Sequence, residues 1–219
     1  MKQILCYGDS NTWGHNPDCT SLADLRYPYA VRWTSRLEAL FGEGCRVLAQ
    51  GLCGRTISFD DPVDDGKNGL KYYPICLESA MPVELVIFML GTNDVRPLFH
   101  APAEEIARGM ERLGVLTERI SRECGQKTPD ILIVAPAPVG EQVEEGEFAG
   151  IYDRTSAEKS RRLPALYQAA ADRHGWGFLN AGDVVGELGR DYVHLSALGH
   201  EKLAGAIFEQ VKDLTGAAK

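Results

Sequence analysis

The chain has 219 residues, enough for one compact domain with a sizeable core, and its 44% hydrophobic and 25% charged residues are ordinary values for a globular protein. Its formal net charge of −8 argues against nucleic acid and anionic membranes as partners, because both require clustered lysine and arginine. No apolar run approaches the ~20 residues that cross a bilayer, so no membrane partner is expected.

The N-terminus and the cysteines predict location and redox state. The first apolar run begins within a few residues of Met1, which leaves no room for a signal peptide and predicts a cytoplasmic protein. The six cysteines are widely spread and form no CxxC pair. We therefore expect neither a disulfide framework nor a structural zinc site.

Five apolar runs are predicted to be strands. The third and fourth are apolar on both faces, as strands are when helices cover each side of a parallel sheet. In chain order the five runs are Gln3–Tyr7, Arg46–Gln50, Glu84–Leu90, Ile131–Ala135 and Gly177–Asn180.

Three amphipathic segments are predicted to be helices. The first has Pro102 in its first turn and then repeats apolar residues at steps of three and four. The second opens at a capping box, Thr155–Glu158, and ends near Gly175, with a kink or a late start at Pro164. The third is capped by Ser196 and presents an apolar series: Leu198, Leu203, Ile207, Val211 and Leu214.

This alternation of strands and helices predicts one doubly wound α/β domain over residues 1–219. Two long connections, Ile57–Pro82 and Pro136–Arg154, separate the predicted elements. Connections of this length in a compact domain are typically functional lids or contact surfaces.

Four polar segments lie at the predicted carboxyl ends of strands or just before the last helix. Ligands of open α/β sheets bind beyond the carboxyl ends of the strands, so we expect all four segments to meet on one rim. Together they supply a hydroxyl, a base, a carboxylate and several hydrogen-bond donors. The segments are Gly8–Asn11, Gly51–Thr56, Gly91–Asp94 and Asp191–His194.

The residue types on this rim favour nucleophilic catalysis. Asp191 and His194 are three residues apart in a non-helical stretch, so the carboxylate can fold back onto the imidazole Nδ1–H. The other ring nitrogen is then free to take the proton of Ser10, whose hydroxyl is a poor nucleophile without a base. The candidate oxyanion donors are the backbone N–H groups of Ser10 and Gly54 and the side-chain amide of Asn93.

These four segments resemble the four blocks of the GDSL (SGNH) hydrolase family, in the same order. Stretches around them are similar to its arylesterase and acyltransferase branch: Ile4–Gly14, Val31–Thr34, Gly51–Thr56 and Leu85–Asp94. The resemblance spans residues 8 to 194 and identifies the chain as a single SGNH-hydrolase domain.

The resemblance implies a three-layer α/β/α flavodoxin-like fold with a five-stranded, mainly parallel sheet. It implies a serine esterase for short, acetyl-like carboxylic esters that works through an acyl-enzyme and also transfers acyl groups to alcohols. Ser10 is then the nucleophile, His194 the base and Asp191 its orienter. No cofactor is expected, the partner is a small ester substrate, and the assembly implied is a homo-oligomer such as an octamer.

Several assignments around the site remain open. The second oxyanion donor is either Gly54, which we favour because the following residues match the branch, or Gly51. Trp13 and Asp9 are the candidate substrate contacts, although Trp13 can equally pack in the core and Asp9 is expected to support the nucleophile loop. His15 lies either at the pocket mouth or on the surface.

Two other functions fit parts of this pattern. A non-catalytic flavodoxin-like module could bind a phosphate or another small molecule on the same rim, but the first loop carries neither GxGxxG nor GxxxxGK[ST]. A metal-dependent phosphoesterase could use Asp9, Asp191 and His194.

Overall fold

The computed structural model describes residues 1–213, built around a five-stranded sheet in the order β2-β1-β3-β4-β5. Every neighbouring pair of strands is parallel. The predicted α/β fold is confirmed, and each strand begins and ends within one residue of its predicted bounds. The strands are β1 (Lys2–Gly8), β2 (Cys45–Gly51), β3 (Leu85–Met89), β4 (Asp130–Ala135) and β5 (Gly177–Asn180).

Helices cover both faces of the sheet and complete three layers. On one face, α2 and α7 pack their apolar sides against the strands, and on the other face α3, α4 and α6 do so. The helices of the described residues are α1 (Ser10–Trp13), α2 (Trp33–Phe41), α3 (Gly69–Ala80), α4 (Ala103–Glu123), α5 (Arg154–Ser160), α6 (Leu163–His174) and α7 (Ala197–Val211).

The two layers of core alternate along the strands because successive strand side chains point to opposite faces. On β3, Phe88 packs with Tyr73 of α3, whereas Ile87 lies in the cluster that contains Trp33 of α2 and Leu203 of α7. Every residue of β3 is buried, as its apolar sequence predicts for a central strand covered on both sides.

Besides the single turn of α1, two helices lie where no helix was predicted. Helix α2 follows β1, and α3 occupies the second half of the connection over Ile57–Pro82, so the prediction of a long loop there is wrong. Pro74 lies inside α3 and removes an N–H donor, which is a local signal against a helix. The burial of Tyr73 and Leu77 on its inner face offsets that cost.

Several helix boundaries also differ from the prediction. The capping box of α5 is formed by Asp153 with Ser156, two residues before the predicted box at Thr155–Glu158. The chain turns at residues 161–162, so the predicted long helix is two helices, with Pro164 in the first turn of α6. Ser196 caps α7 as predicted, and Leu214 lies outside the described residues.

Among residues 1–213, no helix combines the length and the apolar character needed to cross a bilayer. Because all five strands are parallel, their carboxyl ends lie at one edge of the sheet. The loops that leave this edge carry the predicted site residues.

Candidate active site

Ser10 is held at the carboxyl end of β1 by a short, tight turn. It is the first residue of α1, and Asp9 caps this helix by accepting a hydrogen bond from the Asn11 N–H at 2.9 Å. Gly8, at the end of β1, has no room for a side chain, because a Cβ there would lie 2.0 Å from the hydroxyl oxygen of Thr12. The sequence Gly-Asp-Ser therefore fixes where the Ser10 hydroxyl sits.

The structure brings Ser10, His194 and Asp191 into one hydrogen-bonded chain. The Nε2 atom of His194 lies 2.8 Å from the Ser10 hydroxyl oxygen, and its Nδ1 atom lies 2.6 Å from a carboxylate oxygen of Asp191. All three residues are buried, with at most 5% of each exposed. A hydroxyl, an imidazole and a carboxylate in this order form an arrangement that can activate the hydroxyl as a nucleophile.

The Asp191 carboxylate is also held by the backbone of its own loop. Its Oδ1 atom accepts hydrogen bonds at 2.9 Å from the N–H groups of Val193 and His194. Burial alone would raise the pKa of Asp191, but the hydrogen bonds from His194 and the backbone lower it below its usual value. This carboxylate therefore stays ionised beside the imidazole.

Asn11 joins the two halves of this arrangement, and sequence reasoning missed its role. Its side-chain oxygen accepts from the Leu195 N–H at 2.9 Å, and its amide nitrogen donates to the Val193 carbonyl at 3.4 Å. The two bonds fix the histidine loop against the turn that carries Ser10. The only signal in the sequence was the position of Asn11 directly after the predicted nucleophile.

Asn93 is fixed at both ends of its side chain. Its Nδ2 atom donates to the Arg55 carbonyl at 3.0 Å, and its Oδ1 atom accepts from the Tyr152 hydroxyl at 3.2 Å. These bonds fix the orientation of the amide, and Asn93 lines the same pocket as Ser10 and Gly54. Sequence reasoning did not find Tyr152.

The two glycines considered as oxyanion donors occupy different places. Gly54 lies on the pocket wall with a φ of 78°, a backbone conformation that favours glycine. Gly51 ends β2, and a Cβ there would lie 2.2 Å from the Trp13 backbone nitrogen. Gly51 is thus required for close packing, and its position away from the pocket wall favours Gly54 as the donor.

Buried polar side chains support the loops under the pocket. Arg55 donates to the backbone carbonyls of Gly8 and Gln50, and Asp94 accepts from the Ile57 N–H at 2.8 Å. Burial raises the pKa of Asp9 to about 6 and that of Asp94 to about 7. Neither carboxyl lines the pocket, so the structure does not bring Asp9 to a position of substrate contact.

The pocket beside Ser10 is a small cavity of about 260 Å³. A larger groove of about 620 Å³ lies between α2 and α7, but it contains none of the predicted site residues. The small cavity mixes polar and apolar walls, and it is lined by Ser10, His15, Cys53, Gly54, Asp64, Asn93, Arg96, Phe148, Ile151, Tyr152 and His194.

Trp13 lies outside this lining. The Arg26 guanidinium stacks 4.6 Å from its ring centre, and the Arg26 Nε–H donates to the Trp13 carbonyl at 2.8 Å. The structure therefore does not place Trp13 at the acyl pocket, and its predicted substrate contact finds no support in the cavity.

His15 lies at the pocket, and its ring centre is 4.0 Å from that of His194. Burial, followed by the neighbouring His194, lowers the pKa of His15 to about 4. Donor atoms of His15, His194 and Asp191 all lie within 4.8 Å of one another, a group that could hold a metal ion. Asp9 is not part of that group, so the trio considered for a metal-dependent phosphoesterase does not assemble.

The remaining histidines lie elsewhere. His200 is fully buried on α7, and its Nδ1 atom accepts from the Trp33 N–H at 3.2 Å. His174, at the end of α6, contacts Glu111 of α4 at 2.8 Å, and His100 is exposed. None of the three lines the pocket.

Comparisons with known proteins agree with this geometry. A family model described as the GDSL-like lipase/acylhydrolase family matches residues 6–202. A carbohydrate acetylesterase from Sinorhizobium meliloti is 41% identical with a TM-score of 0.87, and the match covers 98% of this chain and 100% of that one. The aryl esterase of M. smegmatis is 34% identical with a TM-score of 0.90, at coverages of 98% and 100%.

No curated protein sequence gives a significant match. The family match covers well over half of the chain. Both solved structures are named as esterases, and each is matched over its full length. These findings favour hydrolysis of an ester over the alternative of a non-catalytic binding module.

Proposed function

The chain belongs to the GDSL-like lipase/acylhydrolase family and is a carboxylic-ester hydrolase, and we propose that Ser10 is its nucleophile. The observation that carries this proposal is the hydrogen-bonded chain from the Ser10 hydroxyl through both nitrogens of His194 to Asp191. In this arrangement His194 is the general base, and Asp191 holds the ring in the tautomer that leaves Nε2 free to accept a proton.

The reaction runs in two halves. Ser10 Oγ attacks the ester carbonyl while its proton moves to Nε2 of His194, and the oxyanion is bound by the N–H groups of Ser10 and Gly54 and by Asn93 Nδ2. The intermediate collapses, the alcohol leaves with the proton from His194, and an acyl group remains on Ser10. Water then gives one proton to His194 and attacks the acyl carbon, the bond to Ser10 Oγ breaks, and His194 returns the proton to Ser10 as the acid leaves.

The size of the cavity supports a short acyl group. Its volume of about 260 Å³ lies below the range of ~300–1,000 Å³ that is usual for ligand pockets. Phe148 and Ile151 give it an apolar wall, which allows an alcohol to compete with water as the second acceptor. We therefore propose acetyl-sized esters as substrates, with acyl transfer to alcohols as a side reaction.

Two properties of the whole protein complete the proposal. By resemblance to its family branch the chain forms a homo-oligomer, which sedimentation analysis can test directly. We also propose a cytoplasmic location, which cell fractionation can test.

Replacing the nucleophile tests the proposal. We expect Ser10→Ala to lower kcat on a chromogenic acetate ester by at least about a thousandfold, because it removes the hydroxyl that lies 2.8 Å from His194 Nε2. Ser121→Ala is the matched control, since Ser121 is equally buried but lies on α4 away from the pocket. Full activity of Ser10→Ala, with an unchanged circular dichroism spectrum, would show that the mechanism is wrong.

A further inference from the structure

A second imidazole lies against the proposed catalytic base, and the reaction does not use it. The His15 and His194 ring centres are 4.0 Å apart, with their planes tilted by 35°. The backbone fixes His15 in this place, because its N–H donates to the Ser10 carbonyl at 3.0 Å and its chain pairs with Arg26. Two imidazoles are therefore held side by side at the mouth of the pocket.

The donors around these rings match the ligands of a borderline divalent cation. One nitrogen from each histidine and one carboxylate oxygen of Asp191 lie within 4.8 Å of one another. Imidazole and carboxylate ligands suit Zn²⁺, which takes three protein ligands and leaves a fourth position for water in open sites. The bond lengths of a tetrahedral zinc site place its ligand atoms roughly 3.3 Å apart. Binding therefore requires His194 Nδ1 and the Asp191 oxygen, which lie 2.6 Å apart, to separate slightly while the His15 nitrogen moves to the same distance from both.

We propose that His15, His194 and Asp191 form an inhibitory zinc site at the pocket mouth. Both ring nitrogens of His194 are already hydrogen-bonded, Nδ1 to Asp191 and Nε2 to Ser10. A cation that binds both His194 and Asp191 takes Nδ1, the ring nitrogen that faces the carboxylate. It replaces the Nδ1 proton, so the proton of the neutral ring lies on Nε2, and the ring can no longer accept the proton of Ser10. Binding therefore stops hydrolysis without unfolding the site.

The inhibitory effect rests on the role proposed above for His194, but the binding site does not. Hard cations provide the chemical control, because Mg²⁺ and Ca²⁺ prefer all-oxygen ligand sets and bind poorly to imidazole. We expect hydrolysis by chelator-stripped enzyme to fall with micromolar Zn²⁺, to recover with EDTA and to be unaffected by Mg²⁺.

A variant of His15 separates this site from general metal effects. His15→Phe keeps an aromatic ring against His194 but has no donor atom. With each activity normalised to its own metal-free rate, the half-inhibitory zinc concentration of the variant should be at least about tenfold higher than that of the wild type. His100→Asn is the matched control, because His100 is exposed, lies outside the pocket and has a positive φ of 49° that asparagine tolerates. Equal zinc sensitivity in His15→Phe and the wild type would overturn the proposal.

Calorimetry tests the site without any activity measurement. Ser10→Ala retains all three donors, so it should bind one Zn²⁺, and Ser10→Ala/His15→Phe should not. Absence of binding by Ser10→Ala, or equal binding by both variants, would rule the site out. Binding of zinc without inhibition of the wild type would instead contradict the base role proposed for His194 while the site stands.

Discussion

The Tyr152 hydroxyl is placed to act through Asn93. It donates to Asn93 Oδ1 at 3.2 Å, while Asn93 Nδ2 donates to the Arg55 carbonyl. Burial raises the pKa of Tyr152, so the phenol stays protonated and remains a donor. The two bonds hold the amide of Asn93, the proposed oxyanion donor, in one orientation, and we expect Tyr152 to act as a positioning residue.

We expect Tyr152→Phe to lower kcat about fivefold with little change in KM, since one neutral hydrogen bond contributes ~1 kcal/mol and acts here on the transition state. The decisive measurement is a double-mutant cycle. In an Asn93→Ala background the same substitution should have almost no further effect on kcat.

Tyr167→Phe controls for the loss of a buried hydroxyl, because Tyr167 donates to the Leu90 carbonyl at 3.1 Å and does not line the pocket. It should cost stability and leave kcat unchanged. Additive losses for Tyr152→Phe and Asn93→Ala would show that the hydroxyl does not act through the amide.

At this scale the sequence predicted the proposed reacting groups but not the residues that support them. Ser10, Asp191 and His194 could be identified because their residue types and spacing carry the chemistry. Tyr152 and Asn11 could not, because their contacts cross 59 and 184 positions of chain and depend on how two loops meet. A tyrosine in a long connection has no local pattern that distinguishes this role from simple packing.

At the scale of the elements, prediction succeeded where periodicity was strong. Helix α4 repeats its buried residues Ile106, Met110 and Leu113 at helical steps, and it was found. Helix α3 was missed because Pro74 lies inside it and because Tyr72 and Ile75 on its exposed face obscure the amphipathic pattern. Its stability comes from packing onto β1 and α4, which a local reading of the sequence cannot show.

A pair of helical glycines separates propensity from packing. On α4, a Cβ at Gly114 would lie 2.2 Å from the Trp176 ring, whereas a Cβ at Gly205 on α7 meets nothing within 4 Å. The Trp176 ring cannot easily move aside, because it stacks on His174 at 4.2 Å and donates to Glu118.

We expect Gly205→Ala to stabilise the fold by up to about 1 kcal/mol, because alanine is the better helix former. Gly114→Ala should instead destabilise it by about 1–2 kcal/mol, since overpacking outweighs the same gain in propensity. Urea unfolding of the two variants measures both effects. A stabilised Gly114→Ala would mean that the Trp176 ring is not held where its contacts suggest.

For the whole molecule, the parallel sheet explains why residues from distant parts of the chain form one site. The sequence predicted the sheet from five apolar runs, and the meeting of the four polar segments follows from their places at strand ends. It did not predict that Asp9 and Asp94 are fully buried beneath that site. Their burial depends on how the loops close over one another, and it makes the stability of the folded chain depend on pH.

The direction of that dependence follows from the pKa of each carboxyl. Burial raises the pKa of Asp9 to about 6 and that of Asp94 to about 7, above the value of ~3.9 in an unfolded chain. At a pH between the pKa of the unfolded chain and that of the folded carboxyl, the folded state keeps a proton that the unfolded state releases. This contribution therefore favours folding at acidic pH and is lost as the pH rises from about 4 through 7.

Asp94→Asn isolates the effect, because asparagine can still accept from the Ile57 N–H but does not ionise. Each unit of pKa shift corresponds to ~1.4 kcal/mol. The difference in free energy of unfolding between the variant and the wild type should therefore shift by a few kcal/mol in favour of the variant as the pH rises from 4 to 8. Denaturant unfolding across this range measures the difference, with Asp172→Asn on the exposed face of α6 as the control. Curves for Asp94→Asn and the wild type that stay parallel from pH 4 to 8 would mean that Asp94 ionises as readily in the folded chain as in the unfolded one.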